Sequence, residues 1–492
     1  MDAVCIEDQT ARFQKAADFL NAGNSAYLDA RRNPASGKKA ALDLVAAAAG
    51  EIGSRVGGQS LQGFGEWLLK DAGKVRISTL NAASLACIQA ETWDLAKRLA
   101  NAVNSVDHHD LLAQRLHDAA AIKSSDLSLP VDDWLKDKFC KAPFEQIETR
   151  ANETVHFCCS AWQPVPIGKL DQKPERVWNS DAAKEIRRSI LDGDYSYCSR
   201  WHCPMISGRR LRKLEQMGAS SEVMTIAKGR NAPEKPDTFS LKQTPNRAIL
   251  SHDRSCNLSC PSCRTKVIQI NRKQSADLDS LINKDYADFL SAASRIKVTG
   301  SGDPFASRHF LNFLKHFTAT NTRAQRLQLH TNGLLLDEAT WNRLDLWGHV
   351  ESIWISADAA DAETYSVVRR GGTFERLLSN LRFLGNMRRA GAFSKLRLDF
   401  VVQKQNFREV PAFASLAQHV GANGVYFLRL RNWGTFTQQE FEDQNVCDPS
   451  HPDHPELLSV LADQRLRSPL VELGSLQPFV RDALDKQHKS AC

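Results

Sequence analysis

From Arg247 onward the chain alternates short apolar runs with longer amphipathic stretches. The runs Ala248–Ser251, Ile296–Thr299, Leu327–His330, Ser352–Ser356, Arg397–Val402 and Gly424–Leu430 have the length and side-chain types of strands. Between them, Asp285–Ala293, Phe305–Phe317, Thr373–Arg388 and Val410–Val420 repeat apolar residues at helical spacing. Six βα repeats imply a parallel sheet, with functional groups at the C-terminal ends of its strands. Residues 1 to about 130 differ: they are rich in Ala and Leu, and Ala40–Ala49 and Ser84–Ala100 carry helical periodicity. Leu111–Ala120 adds a faint hairpin likeness, but no period repeats three times, so a solenoid is not supported. Ser124–Pro130 and Lys228–Pro245 read as connectors. The expected division is a helical domain (1–130), a cysteine-bearing region with its linker (131–245), an α/β core (246–445) and an extension (446–492).

Composition changes this picture little. The 492 residues are 25% charged and 42% hydrophobic, with a net charge of +7. No basic run with interleaved aromatics appears, so nucleic acid is not indicated. No stretch reaches the ~20 apolar residues that span a bilayer, and acidic residues stand at the N-terminus where a signal peptide is basic. The expected location is the cytoplasm, where twelve cysteines point to metal or catalysis rather than disulfides.

Eight of the twelve lie between Cys140 and Cys263, and three share one short loop after the first strand run. Cys256, Cys260 and Cys263 are spaced C-x3-C-x2-C. Three thiolates on one loop can hold three corners of a cubane iron–sulfur cluster, which normally takes four Cys ligands. The alternative is a zinc knuckle, but zinc sites close with a fourth protein ligand, and no His follows at finger spacing. The spacing resembles the signature of the radical S-adenosylmethionine (radical SAM) superfamily. That resemblance implies a partial (β/α)6 barrel and a 4Fe-4S cluster whose open iron is chelated by SAM. It also implies reductive cleavage of SAM to a 5′-deoxyadenosyl radical that abstracts hydrogen from substrate.

Further segments resemble the same family in the same order. Gly300-Ser301-Gly302-Asp303-Pro304 is similar to its Gly-Gly-Glu-Pro element, with Ser301 and Asp303 replacing Gly and Glu. The resemblance implies contact of these four residues with the SAM amino group. Thr331-Asn332-Gly333 resembles a family turn, and is as well explained as an ordinary strand end. Ser356 and Asp358 resemble the Ser-x-Asp strand end that bonds the ribose, and Arg369 fits the Arg that faces the SAM carboxylate, with Arg370 its rival. A planar guanidinium suits a carboxylate. Gln403 and Asn406 line that site or, in the preferred reading for Asn406, cap the next helix.

Upstream, Cys140, Cys158, Trp178-Asn179-Ser180, Cys198 and Cys203 resemble the SPASM auxiliary iron–sulfur module. The resemblance implies one second 4Fe-4S cluster held by those four cysteines, with Cys159 a bystander; a four-Cys zinc site is the competing assignment. The module here precedes the barrel, and Glu153 stands where the family has Gly, with Asn152 the candidate for the turn. His202 reads as a packing or surface residue, and the Cys447/His451/His454 set as an ordinary loop. The resemblance implies an enzyme acting on a peptide or protein side chain, supplied with electrons by a flavodoxin or ferredoxin. The alternatives are a small-molecule substrate such as a sugar or nucleotide, or a non-catalytic metal-binding scaffold.

Overall fold

The computed structural model describes residues 45–49, 52, 61–70, 75–106, 113, 116–117, 120, 134–200, 203–229, 238–321 and 324–480. Six parallel strands form the core: β4 (Arg247–Ser251), β5 (Arg295–Val298), β6 (Arg326–Thr331), β7 (Val350–Ser356), β8 (Lys395–Val402) and β9 (Gly424–Arg429). Each matches its predicted run to within two residues. This is the partial (β/α)6 barrel.

The sheet does not stop at those six. β1 (Gln146–Arg150) lies parallel to β4 over its whole length, from Gln146 beside Arg247 to Arg150 beside Ser251. β2 (Thr154–His156) and β3 (Gly168–Lys169) extend it antiparallel, and β10 (Val471–Glu472) joins the other edge parallel to β9. The described strands thus form one sheet in the order β10-β9-β8-β7-β6-β5-β4-β1-β2-β3. The upstream cysteine region is continuous with the barrel sheet.

Strand alternation decides what faces where. Ala248, Leu250, Ile296, Val298, Leu327, Leu329, Ile353, Ile355, Leu396 and Leu398 are buried on the apolar side of the strands. Packed around the barrel are α6 (Arg308–Thr320), α7 (Phe374–Arg389) and α8 (Val410–His419). The alternate residues, polar or charged on most strands, line an internal cavity of about 860 Å³.

Three helical expectations are corrected. Ser84–Ala100 is not one helix but parts of two, α2 (Ile77–Gln89) and α3 (Trp93–Val106). They are separated at Glu91, which takes φ +57°, and they pack on each other beside α1 (Leu61–Lys70). Periodicity alone does not register a break of so few residues. The helix predicted at Asp285–Ala293 is present in shorter form, Ala287–Ser291, and a π-turn (Leu281–Asp285) runs into it. Before it comes an unpredicted helix, α5 (Arg272–Ser280), in which only Ser275 is buried, so it carries no apolar stripe. Its start was legible another way, because Asn271 and Gln274 form a reciprocal capping box. Finally, α6 begins at Arg308 with Ser307 as its cap, later than predicted, because Asp303–Ala306 form a turn. The connector Ser124–Pro130 lies outside the described residues, as do half of Ala40–Ala49, most of Leu111–Ala120 and part of Lys228–Pro245.

One buried cation ties the upstream region together. Arg187, on α4 (Asp181–Leu191), is fully buried. Its guanidinium donates to the carbonyls of Pro143 (2.8 Å), Trp178 (2.8 Å) and Phe239 (3.2 Å) and to Asn179 Oδ1 (3.0 Å). The Trp178 ring centroid lies 4.5 Å from its Cζ. The Trp-Asn-Ser motif therefore has a structural job: Asn179 also pairs with Leu241, and Ser180 caps α4. Arg187→Met leaves three buried carbonyls short of a donor, and at ~1–3 kcal/mol for an unmet buried group should destabilise this region by about 3 kcal/mol. Denaturant unfolding followed by Trp fluorescence checks it; an unchanged midpoint would show that Arg187 is not a staple.

Candidate functional site

The cysteine loop leaves β4 at its C-terminal end. Cys256 and Cys260 are buried and Cys263 is half-buried. Cys256 N–H donates to Ile268 O and Cys263 N–H to Cys260 O, each at 2.9 Å, so the loop is pinned by its own backbone. Burial pushes the Cys256 and Cys260 thiols up, while Arg264 and Arg369 respectively pull them down. Arg264 senses all three sulfurs and donates to Cys263 Sγ at 3.3 Å. Burial outweighs these cations while the thiols are unliganded; on binding iron as thiolates, their charge would be offset by Arg264 and Arg369. Among the described residues, no group of three or more His, Cys, Asp or Glu is arranged to hold a single metal ion. A cubane takes its thiolates on separate irons, so its ligands need not converge on one point. The donor set fits a cluster.

The turn after β5 approaches this loop closely. A Cβ on Gly302 would lie 2.6 Å from both Asp253 O and Ser255 O, so only glycine fits; a Cβ on Gly300 would meet only Ser251 Oγ, at 3.3 Å. The left-handed residue is neither glycine but Thr299, at φ +64°. For a β-branched residue this strain costs about 1–3 kcal/mol. Its own Oγ1 offsets part of that by accepting from Ser301 and Gly302 N–H at 3.2 and 3.0 Å. Gly300, Ser301 and Gly302 line the cavity.

Asp303 turns inward. Its carboxylate accepts from Thr331 Oγ1 (2.6 Å), Asn332 N–H (2.7 Å) and Phe305 N–H (3.0 Å), joining the β5 and β6 strand ends. Burial pushes its pKa up, against these donors. Asn332 in turn reaches Asn257 Oδ1 at 2.9 Å and Cys256 Sγ at 3.8 Å, so the Thr-Asn-Gly turn touches the cysteine loop.

Across the cavity, Ser356 pairs with His330 Nε2 at 3.0 Å. Asp358, at φ +60°, accepts from Val401 N–H and meets Arg369 Nη2, both at 2.8 Å. Burial opposes the Arg369 charge, but Asp358 and Cys260 outweigh it and raise its pKa. Arg369 lies 3.8 Å from Cys260 Sγ, and its buried Nε has no partner. Arg370 instead reaches Ser259 Oγ on the exposed side. Ser251 Oγ and Trp354 Nε1, also on the cavity wall, are likewise buried without partners. Asn406 does not cap a helix: its amide donates to Asp358 O and Val401 O, both at 2.9 Å, and clips β7 to β8.

In the upstream region, burial and then neighbouring sulfurs, that of Cys140 among them, raise the pKa of the Cys158, Cys198 and Cys203 thiols; that of Cys203 is pushed up to about 12. Cys159 also raises the pKa of the Cys158 and Cys203 thiols. After burial, its largest influence is Arg150, and it joins Cys158 on the cavity wall. Glu153 itself takes the left-handed turn at φ +62°, so Asn152 does not supply it. His202 lies outside the described residues. His451 and His454 bond backbone carbonyls, of Asp443 and Val446.

Sequence reasoning missed the charged wall below these loops: Glu148, Arg150, Arg247, Lys297, Arg397 and Asp399. The polar alternation of the strands was the available signal.

No protein-family model matches the chain. Over 199 residues it is 28% identical to the mycofactocin maturase MftC of Mycolicibacterium smegmatis, covering 40% of this chain and 46% of that protein. Over 198 residues it is 25% identical to a probable GTP 3',8-cyclase of Saccharolobus islandicus, covering 40% and 60%. The chain thus spans about half the length of these curated relatives. Among solved structures, Streptococcus suis SuiB bound to precursor peptide SuiA aligns at a TM-score of 0.36 and 11% identity, over 62% of this chain and 66% of that one. That likeness is too loose to carry an argument. The radical SAM resemblance read from the motifs is matched by these relatives and by the barrel.

The inward turn of Asp303 has a measurable consequence. Asp303→Ala removes the acceptor of three buried donors, and should lower stability by about 3 kcal/mol before any ligand is added. Thermal melts of the protein without SAM check this, and an unchanged melt would show the carboxylate to be free for a ligand.

Proposed function

We propose that the protein is a radical SAM enzyme that modifies a peptide or protein side chain. One observation carries the reading: a single cavity is walled by Cys256, Cys260 and Cys263, by Gly300–Gly302, by Ser356, Asp358 and Arg369, and on its far side by Cys158 and Cys159. When bound, a four-iron cluster with SAM would supply a one-electron cleavage to a 5′-deoxyadenosyl radical that takes a hydrogen atom from substrate.

The chain's own residues do the rest. Cys256, Cys260 and Cys263 would hold the core cluster, and Arg264 and Arg369 offset thiolate charge. Gly302 lets the turn approach without a side chain. Arg369, with a free Nε, is the group for the SAM carboxylate, and Asp358 orients it; Ser356 is the donor nearest a ribose role. Asp303 acts through Thr331 and Asn332 as a positioning residue. Cys140, Cys158, Cys198 and Cys203 would hold a second 4Fe-4S cluster beside the same cavity, where it can anchor substrate or take an electron from a product radical. A flavodoxin or ferredoxin is the proposed electron donor. The SPASM-like module tilts the substrate toward a peptide.

Anaerobic reconstitution should give about eight irons per chain, as two four-iron clusters, and reductant with SAM should release 5′-deoxyadenosine. Ala at Cys256, Cys260 and Cys263 should halve the iron and abolish that release. Ala at Cys198 and Cys203 should remove the other half and keep it. Stoichiometric zinc, or intact clusters that neither bind nor cleave SAM, would overturn the reading in favour of a scaffold.

A further inference from the structure

The floor of the cavity carries more positive charge than its acids neutralise. Arg150 pairs with Glu148 at 2.7 Å, Arg295 with Glu351 at 2.9 Å, and Arg397 with Asp399 through two bonds of 2.6 and 2.7 Å. Two cations remain. Arg247 donates only to the neutral Gln328 Oε1, at 2.8 Å, with no carboxylate in ion-pair range among the described residues. Lys297 is half-buried on the cavity wall, and its Nζ lies 4.1 Å from the Trp354 ring centroid without an acid in ion-pair range among the described residues. Arg397 Cζ packs 3.4 Å from the same centroid, and the Trp354 indole N–H has no acceptor. Buried charges are normally paired, because an enclosed unpaired ion forgoes its hydration. Donors left open in this way are arranged for an anion that comes from outside.

We infer that Lys297, Arg247 and the Trp354 N–H form a binding site for an oxyanion of the substrate, a carboxylate or a phosphate, in the floor of the barrel. Lys297 lies next to the last residue of β5, three residues before Gly300 in the chain. An anion held there would place the adjoining part of the substrate between the floor and the cysteine loop. As a statement about substrate class this rests on the proposed radical chemistry; as a binding site it does not.

Burial, with Arg397 and Arg247 nearby, holds the Lys297 ammonium down at about 8, against Glu148 and Asp399, which favour its charge. The other groups facing it are neutral: Gln328 and Trp354, and His330, whose pKa burial and Lys297 hold well below the usual value. Only the ammonium form holds an anion, so binding should be present at pH 7 and fade as the pH rises past 8.

The test uses full-length reconstituted protein saturated with SAM, titrated calorimetrically with inorganic phosphate, with N-acetyl-glutamate amide and with its neutral glutamine counterpart. At least one anion should bind and the glutamine compound should not; the tighter anion identifies the source, an acidic side chain or a phosphorylated molecule. Lys297→Met should weaken binding about tenfold or more, the worth of a charged hydrogen bond. Lys297→Arg should retain it, and the exposed Lys284→Met should leave it unchanged. Absence of binding by either anion, equal binding by Lys297→Met, or anion binding that SAM itself abolishes would overturn the proposal. Release of 5′-deoxyadenosine by the same preparation separates the two readings. Anion binding without SAM cleavage sinks the radical reading and leaves the site standing; cleavage without anion binding sinks the site alone.

Discussion

The parallel ladder between β1 and β4 is the constraint from which the rest of the site follows. Its five residue pairs fix the register of a strand from the upstream region against the first strand of the barrel. Register in a sheet sets which side chains share a face, and a slip of one residue would turn all of them over. With Glu148 beside Ile249 and Arg150 beside Ser251, both strands contribute the same wall of one cavity. β2 runs back antiparallel along β1, so the segment after it carries Cys158 and Cys159 at the start of β1, while the segment after β4 carries Cys256 at the other end; the two cysteine sets meet one cavity from opposite sides. The far edge is drawn in as well. Glu472 on β10 meets both Arg210 of the upstream region and Lys395 of β8, and Arg431 reaches Ala161 O at 3.3 Å. The cysteine region thereby occupies the side on which a six-stranded barrel would stand open.

Polar groups at the strand ends serve to hold loops at fixed spacing. Asp303 joins β5 to β6, Asn406 joins β7 to β8, and Asp358 joins β7 to β8 while facing Arg369. Each is buried and satisfied by several partners, which is the condition under which buried polar networks add rigidity rather than cost. The left-handed residues Thr299 and Asp358 sit at those same ends, where surrounding hydrogen bonds over-determine the backbone.

Much of this was legible in the sequence, and the failures have physical causes. The six strand runs were found because their apolar face is buried under helices. The triplet Cys256, Cys260 and Cys263 stood out because its spacing suits a cluster, and the loop that carries it leaves the C-terminal end of β4 on the cavity wall. α5 escaped because it buries almost nothing, and the break at Glu91 escaped because helical phase survives so short an interruption. β1 escaped because Gln146-Ile-Glu-Thr-Arg150 is too short and too polar to read as sheet. Its polarity, like that of Lys297 and Arg397, makes sense only after the sheet curls. On an open sheet alternate polar residues face water; inside a barrel the same alternation lines the cavity.

The ladder also imposes an order of events on synthesis. β1 emerges from the ribosome 97 residues before β4 begins (Arg150 to Arg247), and at 5–20 residues per second that is on the order of ten seconds. During that interval β2 and β3 can close on β1 as a local hairpin, and the last upstream cysteine, Cys203, is already made. The parallel edge of β1, however, has nothing to pair with. The upstream cysteines are therefore all made while β1 still waits for the barrel, so the two cysteine sets leave the ribosome in two separate batches.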